Sequence, residues 1–254
     1  MSQTLHKYDP ERLCTYLQHH VAEFSGLAEI VKFSDGQSNP TYKLTDTAGR
    51  HFVLRAKPPG TLLKSAHAVD REFRVMTALA TTAVPVPQML HLSGEDSPLG
   101  AQFLVMEHLE GRVFWDPALP EQSPKFRQDA YHALVRTLAA LHDVDPQAVG
   151  LADFGKPGNY FSRQVARWTG QYRACETQTR PDMDWTIAWL ERNMVPDDGQ
   201  TAIVHGDYRL DNVMFDADTP DMIAVLDWEL STLGHPFADL AYQCMGLRLP
   251  QDGM

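Results

Sequence analysis

Three oxygen-bearing side chains stand at a spacing that fits phosphoryl transfer. Asp207 and Asn212 belong to the segment VHGDYRLDN (204–212), and Asp227 ends the apolar run 222–226. A carboxylate can accept the proton of a substrate hydroxyl, and Mg²⁺ binds through oxygen ligands while it keeps several waters. The set predicts Asp207 as the general base, or the residue that orients the acceptor hydroxyl. Asn212 and Asp227 are predicted as the magnesium ligands.

The same segment resembles the catalytic loop of protein kinases, H-R-D-x-x-x-x-N, with Gly206 in the place of the arginine. Asp227 then stands where kinases have the aspartate of D-F-G. The H-G-D form is more similar to the aminoglycoside phosphotransferase and choline kinase superfamily than to protein kinases. An aspartate that caps a turn is the common alternative for Asp207 alone.

Four further segments resemble one branch of that superfamily, the group with the kinase-like domain fused to some acyl-CoA dehydrogenases. They are FSDGQSNPTY (33–42), FVLR (52–55), AHAVDREF (66–73) and LDWE (226–229). The resemblance implies an α+β, bilobal protein-kinase-like fold. Its N-lobe, an antiparallel sheet plus a helix, is expected at 1–106, its hinge at 107–111 and a mainly helical C-lobe at 112–254. Members of the group usually continue for several more helices, so the C-lobe is expected to be incomplete.

The resemblance implies ATP and Mg²⁺ as cofactors and assigns a phosphate-covering loop. Gly36, Gln37, Ser38 and Asn39 are expected there, because glycine permits close backbone approach and free backbone N–H groups can cradle phosphate oxygens. Such turns between strands commonly bind nothing, and it is the position before the strand of Arg55 that favours a phosphate role.

Arg55 stands where kinases have the lysine that grips the α- and β-phosphates, and Glu72 on the next helix is expected to pair with it. Lys57 is the alternative, since it shares the strand face, but Pro58 and Pro59 should turn the chain away. Arginine is a planar fork and not a compact point charge, so the departure from lysine matters. An exposed Arg–Glu pair would contribute little.

Four residues are expected in supporting positions. By resemblance, the Glu107 carbonyl and the Leu109 N–H would bind adenine at the hinge. His205 would brace the catalytic loop, and Asp239 would pin that loop from the start of a helix. An aspartate favoured by the helix dipole is an alternative for Asp239.

The acceptor side is indicated by three residues. Glu229 could touch the acceptor or a second metal, and Arg163 and Arg167 share one helical face that could meet an anion. Such a face is often merely solvated. The resemblance favours a hydroxylated small-molecule acceptor, a hydroxyacyl-CoA or hydroxy acid. The alternatives are an aminoglycoside or amino-alcohol kinase, and a nucleotide-binding regulator without turnover, which the arginine at 55 and the early C-terminus would favour.

The elements that must position these residues begin with a helix at Asp9-Pro10, a cap followed by a first-turn proline. Five short apolar runs then predict one antiparallel sheet, at 30–33, 41–45, 51–55, 89–92 and 103–107. A helix at 66–80 separates the third and fourth runs. This order is the plan of a kinase N-lobe.

Beyond residue 111 the periodicity predicts mainly helices, at 125–142, at 160–178 and after Pro181. In the last of these, Trp185, Trp189 and Leu190 are expected to face inward. Short strands are predicted at 201–205, 213–215 and 222–226, next to the three site residues, and a final helix begins at Pro236.

Composition narrows the class of protein further. The chain has 254 residues, 43% hydrophobic and 22% charged, as in ordinary soluble enzymes. A net charge of −11 argues against a nucleic-acid partner, because phosphate backbones need a basic surface. The three cysteines form no C-x-x-C pair, so neither zinc nor a disulfide framework is indicated. Without a long apolar run or a signal-peptide pattern, a cytoplasmic protein with no membrane partner is expected. The sequence does not indicate an oligomeric state.

Overall fold

A five-stranded antiparallel sheet forms the first half of the protein. The computed structural model describes residues 9–33, 39–58, 69–94, 97–246 and 248. The strands are β1 (Leu27–Lys32), β2 (Thr41–Asp46), β3 (His51–Ala56), β4 (Met89–Leu92) and β5 (Phe103–Glu107), in the order β1-β2-β3-β5-β4. All five predicted strands are confirmed. The start of β1 was predicted too late, because a bulge between Leu27 and Glu29 disturbs its pairing and its exposed residues show no alternation.

Two helices pack against the sheet. Helix α1 (Pro10–His20) begins where predicted, with the Asp9 carboxylate accepting from the backbone N–H groups of Glu11 and Arg12. It buries Leu13 and Leu17 in a core shared with the sheet. Helix α2 (Val69–Leu79) lies between β3 and β4 in sequence and carries the buried Glu72. The residues predicted before it, 66–68, lie outside the described residues.

The apolar face of α2 belongs to a different core from that of α1. Val69, Val75, Met76 and Leu79 join one cluster with residues from the second half of the protein. That cluster includes Tyr208, which lies within the predicted catalytic segment, Phe215, and Trp228, which follows Asp227. The described N-terminal half therefore contributes to two cores: one under α1 and the sheet, the other continuous with the C-terminal half.

The C-terminal half is mainly helical. It contains α3 (Pro124–His142), α4 (Tyr160–Cys175), α5 (Pro181–Arg192) and α6 (Phe237–Met245). Two small antiparallel pairs carry the predicted site: β6 (Ala202–Val204) with β9 (Thr232–Gly234), and β7 (Val213–Phe215) with β8 (Met222–Val225). The three predicted strands are confirmed; β9 was not predicted. The fold is the expected α+β, protein-kinase-like one.

The expectation that α5 faces inward is wrong. Trp185 is 62% exposed, Trp189 45% and Leu190 39%. Helices α4 and α5 pack on each other, neither contains a buried residue, and the two tryptophan rings stack with their centroids 6.5 Å apart. Helical periodicity identifies an apolar face but not the element that covers it. None of the helices in the described part of the chain has the length and apolar character needed to span a bilayer.

Candidate active site

The loop between β6 and β7 brings the predicted base and one predicted metal ligand into contact. The Asn212 Nδ2 donates to Asp207 Oδ2 at 2.8 Å and to the Asp207 carbonyl at 2.9 Å. Because the amide nitrogen is used in this way, Asn212 Oδ1 is the atom that can serve as an oxygen ligand. Asp207 keeps 24% of its side chain exposed, so its carboxylate is accessible.

The third predicted residue, Asp227, is tied to the same loop through its neighbour. The Leu226 N–H donates to the Asn212 carbonyl at 2.8 Å, at the end of β8. Asp227 itself has φ 61° and ψ 62°, the left-handed region that non-glycine residues seldom adopt. Such backbone strain is concentrated at functional sites, since the surrounding structure must hold it.

His205 is buried and connects the Asp207 loop to the strand before Asp227. Its Nδ1 accepts the Asp207 N–H at 3.2 Å, so its Nε2 carries the proton and donates to the Leu226 carbonyl at 2.8 Å. Burial lowers the pKa of His205 and keeps the ring neutral. With both ring nitrogens occupied, His205 holds the Asp207 loop against the Asp227 strand and is not available as a proton carrier.

Asp239, in the first turn of α6, holds the other side of the loop. Its Oδ2 accepts the His205 N–H and its Oδ1 the Gly206 N–H, both at 2.8 Å, and His142 Nε2 lies 3.1 Å from Oδ2. Gly206 adopts φ +87°, and a Cβ there would lie 2.8 Å from the Leu230 carbonyl. Glycine is therefore required where kinases have arginine.

Arg55 on β3 joins the two halves of the molecule. Its Nε lies 3.1 Å from Glu72 Oε2, its Nη2 2.5 Å from Asp227 Oδ1 and 3.7 Å from Glu229 Oε2. The predicted Arg55–Glu72 pair is confirmed and is buried, not exposed. Burial raises the pKa of Glu72 against the opposing effect of Arg55, and the charges of Asp227 and Glu229 raise it further. The Lys57 Nζ instead contacts Asp70 and Gln102.

Asn39 contacts carboxylates in this structure. Its Nδ2 donates to Glu72 Oε1 at 3.1 Å and to Glu229 Oε2 at 3.4 Å, and the residue is 3% exposed. The other three residues predicted for the phosphate loop, Gly36, Gln37 and Ser38, lie outside the described residues. Ligand oxygens of Glu72, Asp227 and Glu229 all lie within 4.8 Å of one another, and the cation among them in this structure is the Arg55 guanidinium.

A cavity of about 390 Å³ opens beside the predicted hinge. Glu107 and Leu109 line it, together with apolar residues from both halves, among them Val53, Met106, Met214 and Leu226. The Glu107 carboxylate accepts the Gln88 N–H at 2.7 Å, which occupies its side chain and leaves the hinge to act through backbone groups. A largely apolar cavity bordered by backbone polar groups suits a heteroaromatic ring.

The two arginines predicted for the acceptor differ in their surroundings. Arg163 donates to the carbonyls of Lys156 and Pro157, at 2.5 and 3.4 Å, and so holds the loop before α4. Arg167 is exposed, and its guanidinium lies over the Trp168 ring. Neither arginine contacts the catalytic loop through any hydrogen bond or ion pair recorded in the described part of the chain.

Two residues at the site were missed by sequence reasoning. Arg209 Nε lies 3.5 Å from Asp207 Oδ1, and Tyr242 on α6 lies beside Asp207. Burial raises the pKa of Tyr242, and the Asp207 contact adds to the effect. Arg209 could have been predicted, because it stands two residues after the base in the same segment. Nothing in the local sequence indicated Tyr242.

A sheet-and-helix half followed by a mainly helical half, with Asp207 and Asn212 in one loop and Asp227 after a neighbouring strand, is the arrangement of phosphotransferases with the protein-kinase-like fold. The chain belongs to the Phosphotransferase enzyme family, whose sequence profile matches residues 29–254.

Known proteins support this assignment. The mouse acyl-CoA dehydrogenase family member 10 is 50% identical over 226 residues, covering 89% of this chain but only 21% of that protein. A crystal structure from Ralstonia eutropha, provisionally described as an aminoglycoside phosphotransferase, has 48% identity and a TM-score of 0.85, over 97% of this chain and 73% of that one. A mutant aminoglycoside phosphotransferase in complex with ADP and hygromycin B shares the fold at 16% identity and a TM-score of 0.62, over 89% of this chain and 74% of that one.

Proposed function

We propose that the protein transfers the γ-phosphate of ATP, with Mg²⁺, to the hydroxyl group of a small molecule. The observation that carries this proposal is the contact of Asn212 with Asp207, and of Asn212 with the strand of Asp227, beside the hinge cavity. Phosphoryl transfer depends mainly on positioning and on neutralising charge, and these contacts provide the positioning.

The chain's own residues would act as follows. Asp207 accepts the proton of the acceptor hydroxyl, whose oxygen bonds to the γ-phosphorus as ADP departs. Asn212 Oδ1 and the Asp227 carboxylate would hold the magnesium ion, which neutralises charge on the phosphate oxygens. Arg55 would contact the phosphates, and adenine would occupy the cavity lined by Glu107 and Leu109. The division into an N-lobe (1–106), hinge (107–111) and C-lobe (112–254) is part of the proposal.

The acceptor is proposed to be a hydroxy acid or hydroxyacyl-CoA. Relatives named as acyl-CoA dehydrogenase family members support this choice, and the hygromycin B complex of the more distant protein supports the aminoglycoside alternative. The intact set of Asp207, Asn212 and Asp227 weighs against the third possibility, a regulator that binds nucleotide without turnover.

A screen with labelled ATP tests the proposal across hydroxy acids, hydroxyacyl-CoA esters, amino sugars and choline-like amines. Asp207→Asn should abolish phosphate transfer while binding of a fluorescent ATP analogue survives. Near-normal turnover in that variant would reject the mechanism. Magnesium-dependent nucleotide binding without phosphorylation of any compound would favour the regulator.

A further inference from the structure

Arg209 is a cation that the mechanism above leaves without a role. Tyr208, between it and Asp207, is fully buried and donates its hydroxyl to the Leu134 carbonyl at 2.9 Å. The backbone at Arg209 is extended, with φ −154° and ψ 168°. Side chains of an extended segment alternate between its faces, so Asp207 and Arg209 both project away from the core.

The Arg209 guanidinium is positioned by two carboxylate contacts and keeps N–H donors available for a ligand. Its Nε lies 3.5 Å from Asp207 Oδ1, and its Nη2 lies 3.0 Å from Asp211 Oδ2. The side chain is 51% exposed. Since arginine has five N–H donors in a fixed fork, these two contacts leave donors directed to solvent. Arg163, in contrast, directs its fork into carbonyls of its own loop.

Arg209 also marks one edge of the Asp207 carboxylate. The Oδ2 atom accepts a hydrogen bond from the Asn212 amide. The Oδ1 atom faces Arg209. A compound that delivers its hydroxyl proton to Oδ1 therefore meets the Arg209 guanidinium.

We propose that Arg209 determines acceptor specificity by binding an oxyanion of the acceptor, a carboxylate or a phosphate, close to the reacting hydroxyl. This rests on the proposed function. In the transfer, the acceptor O–H bond gives its proton to Asp207 as the new O–P bond forms. The bond from the γ-phosphorus to the bridging oxygen breaks, and ADP leaves. Arg209 exchanges no proton; it positions the acceptor.

The alternative is a surface ion pair with Asp211, which would contribute little to stability and nothing to acceptor choice. The two roles are separated by comparing 3-hydroxybutyrate with its uncharged amide as acceptors. For each compound, kcat and KM are measured separately in wild type, Arg209→Gln and Arg209→Lys. In Arg209→Gln, KM for the acid should rise about ten-fold or more, as expected when a charged contact loses one partner, with a smaller change in kcat. A change in kcat that arises from the contact with Asp207 should be the same for the acid and the amide, whereas the rise in KM should be confined to the acid and partly recovered by Arg209→Lys.

3-Hydroxybutyryl-CoA distinguishes the source of the oxyanion. An Arg209 effect on the acid indicates a carboxylate, whereas an effect on the thioester alone indicates the phosphates of the CoA moiety. Arg136→Gln, an exposed arginine on α3, is the matched control and should change none of these values. An equal rise in KM for the acid, amide and thioester, or no rise for any of them, overturns the proposal.

Calorimetric binding of the same three compounds in the presence of ADP and Mg²⁺ gives a readout without turnover. Arg209-dependent binding of an anionic compound by a protein that transfers no phosphate would refute the proposed function and support only the binding of an oxyanion by Arg209. Phosphate transfer combined with binding that does not depend on Arg209 would support the proposed function and overturn this inference. If wild type binds none of the three compounds, the inference is overturned.

Discussion

Arg55 Nη2 on β3 and Asp227 Oδ1 after β8 lie 2.5 Å apart, an ion pair between the two halves of the molecule. The same guanidinium contacts the buried Glu72, so a residue predicted for phosphates also links two acidic side chains. Its planar fork can reach both carboxylates at once, which a lysine ammonium cannot do with the same geometry. The arginine at position 55, in place of a lysine, therefore links Glu72 to Asp227, whatever its effect on nucleotide binding.

Removing this guanidinium should destabilise the fold. Arg55→Met would leave Glu72 buried without its cation, and breaking a buried ion pair costs about 3–5 kcal/mol. Arg55→Lys should cost less, because one carboxylate keeps a partner. Urea unfolding of both variants measures the free energies. The double variant Arg55→Met/Glu72→Gln should regain part of the loss, and equal stability of Arg55→Met and wild type would contradict the buried pair.

Gly206→Ala should damage the catalytic loop beyond the cost of its backbone conformation. A left-handed alanine costs about 1–2 kcal/mol, and here the added methyl also meets the Leu230 carbonyl. Gly49→Ala is the matched control, since Gly49 has a similar φ of +81° with nothing within 4 Å of the added Cβ. Thermal unfolding and phosphate transfer should both fall further in Gly206→Ala. Equal losses of thermal stability and of phosphate transfer in the two variants would show that the contact of the added methyl with the Leu230 carbonyl has no cost.

Acid should destabilise the protein partly through Asp46. Burial would raise the pKa of Asp46, but hydrogen bonds from Arg50 and Ser25 outweigh it and lower the pKa to about 2, from its ordinary 3.8. The native state thus favours the ionised form. This contribution to stability is complete above pH 3.8 and is lost as the pH falls towards 2.

Urea unfolding between pH 7 and pH 2 measures this loss. Asp46→Asn should be less stable than wild type at pH 7 and lose less stability on acidification. Asp129→Asn, which removes only a surface contact with Lys125, should follow the wild-type profile. Parallel profiles for Asp46→Asn and wild type would show that Asp46 is not the group responsible.

The parts of the site that depend on local spacing could be predicted from the sequence. Asp207 and Asn212 share one loop, and Asp227 follows a short strand, so their types and order indicated the chemistry. The pairing of Arg55 with Glu72 was implied by the resemblance to kinases, and periodicity supplied the strand and the helix that carry the two residues.

The parts that depend on tertiary placement could not be predicted. Tyr242 reaches Asp207 only because α6 packs beside the catalytic loop, and the steric need for Gly206 comes from Leu230. The outward orientation of Trp185 and Trp189 depends on which elements lie against α5. A single sequence contains none of these distances.

The division of apolar side chains between two cores gives helix α2 a linking position. It belongs to the apolar cluster of the C-terminal half and also packs on β4 and β5, so it couples the sheet to that half. The Arg55–Glu72 contact ties the same helix to β3. A movement of the sheet relative to the C-terminal half would therefore have to carry α2 along or break one of these sets of contacts.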